Sequence, residues 1–320
     1  MKIRKPSILI SAKDSIVAKN VVVKASEGVY AQVQNRYTKR KKEMTIDQSI
    51  PEAVVLLKNQ FVRGYKTRRG LLTEIIPRYY SKSLPIANDV LDSLHRFAIA
   101  NPIYFASHDL EISGISSRIY EGDINNYWLS SKKHDTSYQP FYPTWMLSAF
   151  TLAREANSLG FDQLIDVGSG DGRLAYCASL LGMESYGIEI DDKLVELQEA
   201  VSHSTGVHYN VISADATRFD YSSLNLSKPI FFISGLPEMG EMLANSVIRN
   251  VLSVERMKHN AGFNFMGSHV MKSLTRDRTS WGWGNIIASF GLKLIGTISL
   301  PTLWTTDQLL DTAYVYTRAL

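Results

Sequence analysis

Between Leu164 and Arg173 the chain reads Leu-Ile-Asp-Val-Gly-Ser-Gly-Asp-Gly-Arg, an apolar run closed by glycines at positions 168, 170 and 172. The helical pattern Arg173-Leu-Ala-Tyr follows at once. This is a strand, a tight turn and a helix start. Glycine is needed where backbone takes a positive φ or lies against a ligand, and the helix offers unpaired N–H groups at its positive dipole end. A chain built on this unit is expected to fold around a parallel strand whose carboxyl end meets a polar ligand.

The glycine spacing narrows the choice of ligand. In the dinucleotide fingerprint G-x-G-x-x-G, a first pair at Gly168 and Gly170 puts the third glycine on Arg173, which cannot serve there. The observed D-x-G-x-G-x-G, Asp166 to Gly172, resembles the first motif of class I S-adenosylmethionine-dependent methyltransferases. The resemblance implies S-adenosyl-L-methionine as cofactor, held by Asp166, Gly168, Ser169, Gly170 and Gly172. It also implies an α/β fold with a doubly wound, mostly parallel seven-stranded sheet in the order 3-2-1-4-5-7-6.

From Phe161 onward strands alternate with helices, the pattern of crossovers in a parallel sheet. The expected strands are Gln163–Val167, Ser185–Ile190, Val207–Ile212, Pro229–Ser234 and Ala261–Gly267, with a closing hairpin of Leu292–Leu300 and Thr312–Thr317. Glu189 ends the second strand, beside the glycine turn in such a sheet, where its carboxylate can accept from both ribose hydroxyls with Ile190 adjoining. After the third strand, Asp215 matches the family's acid that faces the adenine amino group, and Ala216 supplies backbone. Ser234 closes the fourth strand as a further cofactor contact. Ser234-Gly-Leu-Pro237 departs at two of four positions from the Asn/Asp/Ser-Pro-Pro-aromatic element of amino-directed nucleic acid enzymes. Glu238 is the candidate group for directing the proton of an amine acceptor.

The formal charge of +4 conceals an asymmetry. Residues 1–80 carry 17 basic against 6 acidic side chains and the remainder 18 against 25, so the division expected is a basic α+β domain, 1–130, and a methyltransferase domain, 131–320. The basic runs Lys39–Lys42 and Arg63–Gly70 suit RNA or another polyanion. Residues 1–37 read as short strands, Pro51 opens a helix, and Ile86, Val90, Leu91, Leu94 and Phe97 mark the face of another. Tyr138-Gln-Pro-Phe-Tyr-Pro-Thr-Trp145 resembles a segment of archaeal lysine methyltransferases related to the Dot-type histone enzymes. Tyr142 and Trp145 in this segment are candidate substrate contacts, as are Pro237 in the loop after the fourth strand and Trp281 in the loop Lys272–Gly284 near the carboxyl end of the fifth.

A single cysteine, Cys177, sits in an apolar helix and reads as core, in keeping with a reducing cytoplasm. The seven histidines show no ligand spacing, and no metal is assigned. No membrane helix is expected. The function expected is methyl transfer to a macromolecule, RNA or protein lysine. The alternatives are a small-molecule methyltransferase with an N-terminal lid, and a non-catalytic RNA- or partner-binding module on the same fold. Oligomeric state is left open.

Overall fold

The computed structural model describes residues 47–65, 71–123, 141–234, 237–266, 283–301 and 311–320, all within one compact unit, Ile46–Leu320. Its frame is a seven-stranded sheet. In chain order the strands are β4 (Gln163–Val167), β5 (Glu184–Glu189), β6 (Asn210–Ser213), β7 (Pro229–Ile233), β8 (Gly262–Met266), β9 (Lys293–Pro301) and β10 (Asp311–Arg318). Their spatial order is β6-β5-β4-β7-β8-β10-β9. Numbered from β4, this is the expected 3-2-1-4-5-7-6. The first five strands are parallel, and β10 runs antiparallel to both β8 and β9.

Both faces of this sheet are covered, so β4 and β7 are buried at every position. Leu164, Ile230 and Phe232 join one apolar core, whereas Ile165, Val167, Phe231 and Ile233 join a second on the opposite face. The first core takes in α3 (Met146–Ser158) and α4 (Arg173–Leu180), and the second takes in α6 (Pro237–Ser253) and α7 (Trp283–Ser289). Helix α5 (Asp192–Thr205) starts on Asp191, whose carboxylate accepts from the Lys193 and Leu194 amides, and stops at Gly206 with φ 69°. The third strand therefore begins at Asn210, three residues later than the apolar pattern suggested.

The residues before this frame build α1 (Ser49–Gly64), β1 (Leu72–Pro77), α2 (Asn88–Ala100), β2 (Tyr104–Ile112) and β3 (Ile115–Gly122). The strands form a second, antiparallel sheet in the order β1-β3-β2. The sequence reading had placed no strand in residues 72–122. Yet Ser113 and Gly114 both take positive φ, 48° and 82°, the two-residue turn that matches the twist of a hairpin. Ile50, Val54, Leu57 and Phe61 line the buried stripe of α1, and they belong to the same apolar core as Leu164 and Tyr316. The expected boundary near residue 130 falls in 124–140, outside the described residues, as do the strands expected in 1–37 and the run Lys39–Lys42.

Candidate cofactor site

The turn between β4 and α4 lies at the carboxyl end of the central strand, where the sheet order reverses. Gly168, Gly170 and Gly172 have φ of 72°, 58° and 78°, a region closed to most side chains. Their surroundings differ. Gly168 is exposed, and a Cβ built on it meets nothing within 4 Å. At Gly170 a Cβ would strike the Phe141 ring at 2.4 Å, and at Gly172 the Tyr209 hydroxyl at 2.2 Å. Gly168 is thus the open position, while Gly170 and Gly172 are glycines because protein packs on them. Gly172→Ala adds overlap to a strained φ and should cost about 3 kcal/mol or more, whereas Gly168→Ala should cost only about 1–2 kcal/mol. Urea midpoints of the two variants check that order.

Gln198, reaching up from α5, holds the loop from beneath. Its amide donates to Ser169 Oγ and to the Gly170 carbonyl, each at 2.9 Å. A side chain at Gly187 of β5 would collide with both Gln198 and Ser169, so that glycine makes the room they share. On the other side Glu189 Oε2 accepts from the Gly170 amide at 2.8 Å, and its Oε1 accepts from the Ile190 and Asp191 amides at 2.8 and 3.0 Å. Two lone pairs per oxygen leave Oε2 with capacity for one more donor, fewer than the two ribose hydroxyls expected from the sequence. Burial raises the pKa of this carboxyl, and the three amides oppose the rise.

Asp166 differs from its neighbours. Its carboxyl is almost fully buried, has no hydrogen-bond donor among the described residues, and lies within the fields of Glu189 and Asp171. Desolvation first, then those two acids, push its pKa well above the ordinary carboxylate range. The neutral form of this carboxyl is thereby favoured, and a cation brought beside it would favour the charged form.

Asp215 is partly exposed. Its Oδ1 caps the following turn by accepting from the Thr217 amide and hydroxyl, and its Oδ2 faces the exposed Arg218 at 3.7 Å. The Ala216 carbonyl accepts from the Tyr221 hydroxyl at 3.0 Å. Ile190 is half-buried and Ser234 exposed at the end of β7. Pro237 and Glu238 open α6, but their side chains lie outside the described residues, as does Trp281. Tyr142 is exposed, and Trp145 is fully enclosed with Lys58 Nζ 5.6 Å from its ring centroid. Trp283 packs on Phe265 and donates its Nε1–H to the Met266 carbonyl. Cys177 is buried against Met146, and burial pushes its thiol far above the range of a nucleophile.

Sequence reasoning valued Arg173 only for the fingerprint it excluded. In the fold it is a buried hub. Its guanidinium donates to Asp171 through Nε and NH2, at 2.9 and 2.5 Å, and through NH1 to Glu74 at 3.1 Å and to the Thr144 carbonyl. Asn101, at the end of α2, adds a 2.9 Å hydrogen bond to Asp171. Nothing in the local pattern around Arg173 announces partners so distant in sequence.

No family model matches the chain, and no curated protein matches its sequence. Among solved structures it is similar to the Pyrococcus abyssi tRNA (uracil-54, C5)-methyltransferase in complex with S-adenosyl-L-homocysteine. That match has 11% identity, 86% of this chain and 84% of that one covered, and a TM-score of 0.42. It is also similar to TrmN from Thermus thermophilus, at 12% identity, 65% and 57% coverage and a TM-score of 0.41. A third is the ribosomal protein L11 methylase of Lactobacillus delbrueckii subsp. bulgaricus, at 12% identity, 54% and 78% coverage and a TM-score of 0.38.

Proposed function

We propose that this chain is an S-adenosyl-L-methionine-dependent methyltransferase whose acceptor is a macromolecule, RNA or protein lysine. The observation that carries the reading is the buried carboxyl of Asp166, without a hydrogen-bond donor among the described residues, next to the open face of Gly168. The residues present fit a cationic, hydroxyl-bearing ligand. Asp166 offers a buried carboxyl whose charged form a ligand cation would favour, Glu189 one free acceptor position, and Asp215 an Oδ2 without a hydrogen-bond donor among the described residues. When bound, the cofactor supplies a methyl group on a positively charged sulfur. Asp166 and Glu189 would hold it, and Gly168 would let it lie against the backbone.

Displacement at such a methyl group asks the protein mainly to align donor and acceptor and to exclude water. Ser234 and the first turn of α6, with Pro237 and Glu238, stand at the carboxyl end of β7, on the rim where an acceptor would enter. Glu238 is the group proposed to direct the proton of an acceptor amine. The basic stretches of residues 1–130 are assigned to acceptor recognition. Tyr142 is exposed at the surface, whereas Trp145 supports the start of α3 from within. No described helix is long and apolar enough to cross a membrane.

The test is calorimetric titration with S-adenosylmethionine, followed by incubation of the protein with methyl-labelled cofactor and cell extract. Saturable binding is expected, with label in material that resists protease but not nuclease if the acceptor is RNA, and the reverse if it is protein. Absence of binding overturns the reading, and label confined to small molecules overturns its macromolecular part.

A further inference from the structure

Glu74 lies in the middle of β1, 99 residues before Arg173, and is fully buried. Its Oε1 accepts from the Met146 amide at the start of α3, at 3.0 Å. Its Oε2 accepts from Arg173 NH1 at 3.1 Å and from the Tyr104 hydroxyl of β2 at 3.3 Å. Arg173 in turn grips Asp171 inside the glycine loop and the Thr144 carbonyl just ahead of α3. Phe141, three residues before Thr144, is the ring that closes over Gly170. One carboxylate therefore sets three segments at once: the loop, the arginine that opens α4, and the stretch that covers the loop.

The chemistry of the cluster explains why the arrangement is stiff. Two acids share a single buried guanidinium, and each is further held by neutral donors, Asn101 on Asp171 and Tyr104 with the Met146 amide on Glu74. Burial raises the Glu74 pKa to about 7 despite the neighbouring cation. A planar guanidinium with donors in a fixed fork can meet this set of acceptors in one orientation only.

We infer that Glu74 is a positioning residue of the cofactor site, fixing the glycine loop through Arg173 and Asp171 from outside the parallel sheet. The affinity part of this inference rests on the cofactor reading above, and the part concerning loop order does not. Glu74 touches neither the open face of Gly168 nor Asp166 directly, so it acts through the hub.

The test compares wild-type protein with Glu74→Gln, which keeps the shape and an acceptor but removes the charge. Native-state amide hydrogen exchange should quicken about tenfold or more at Gly170, Gly172 and Arg173, with Phe265 of β8 and Val315 of β10 unchanged. The dissociation constant for S-adenosylmethionine should rise about tenfold. Unchanged exchange at the three loop amides, or an acceleration shared equally by Phe265 and Val315, overturns the inference, since the latter marks a purely global loss of stability. Wild-type protein that binds no cofactor removes the cofactor reading and leaves the exchange result to decide this one. Cofactor bound equally by wild type and variant overturns the affinity claim. Should Glu74→Gln not fold, Tyr104→Phe, which removes a hydroxyl on Glu74 and alters no charge, is read by the same exchange criterion.

Discussion

Asp166→Asn protein is expected to lose S-adenosylmethionine binding and at the same time to become more resistant to urea at neutral pH. The two effects have one cause. A charged hydrogen bond to a ligand cation is worth about 1.5–3 kcal/mol, so its loss should weaken binding by about 10- to 100-fold. The same carboxyl is buried, has no donor among the described residues and is crowded by two other acids, and burial with those acids raises its pKa above that of the unfolded chain. A carboxyl that keeps its proton longer when folded favours the native state fully only below the unfolded value near 4, and that contribution is lost as pH rises through the native value. At pH 7 it therefore works against folding. Asparagine does not titrate, so the variant should gain about 1 kcal/mol or more at pH 7.5 and show no gain near pH 4. Urea midpoints of both proteins at the two pH values test this. A carboxylate whose native pKa is held below the unfolded value by structural donors would give the opposite sign.

Arg173→Met should produce the largest loss of stability of any single change near the site. Removing the cation leaves Asp171 and Glu74 facing each other without compensation, and breaking a buried ion pair from one side costs about 3–5 kcal/mol. That is a large part of the 5–15 kcal/mol typical of a folded domain. Arg173→Lys should recover little. A lysine ammonium can neutralise one acid, but it cannot reach Asp171, Glu74 and the Thr144 carbonyl together as the planar fork does. Guanidinium unfolding of the three proteins should rank them wild type, Arg173→Lys, Arg173→Met, and equal midpoints for wild type and methionine would refute the role of the hub.

The parallel half of the molecule could be read from sequence because its strands are buried on both faces and so appear as short continuous apolar runs. Asp191 and Gly206 also punctuate α5 with ordinary caps. The small sheet escaped for physical reasons. Residues 105–109 of β2 are all exposed and show no alternation, and β1 buries Thr73 and Glu74 among its apolar residues. The Ser113-Gly114 turn is the hairpin feature there, and the sequence reading did not use it. The site divides along the same line. That Asp166, Glu189 and Asp215 fall at the ends of successive strands was legible, because those strands could be read as apolar runs. Gln198, Asn101, Tyr104 and Glu74 were not, because what qualifies them is a tertiary contact made across 28 to 99 residues of chain. For Glu189 and Asp215, sequence gave the location but not how much of each carboxylate is already committed to backbone.

The Arg173 hub also bears on how such a chain can be recombined. Grafting Asp166–Arg173 with its parallel sheet onto a foreign N-terminal segment would transplant a guanidinium that lacks the carboxylate of Glu74 and the hydroxyl of Tyr104. Transferring the small sheet alone would bury an acid with no counter-ion. The two halves are thus not interchangeable cassettes, and a workable chimera would have to carry Glu74, Asn101, Tyr104, Asp171 and Arg173 together as one inherited unit.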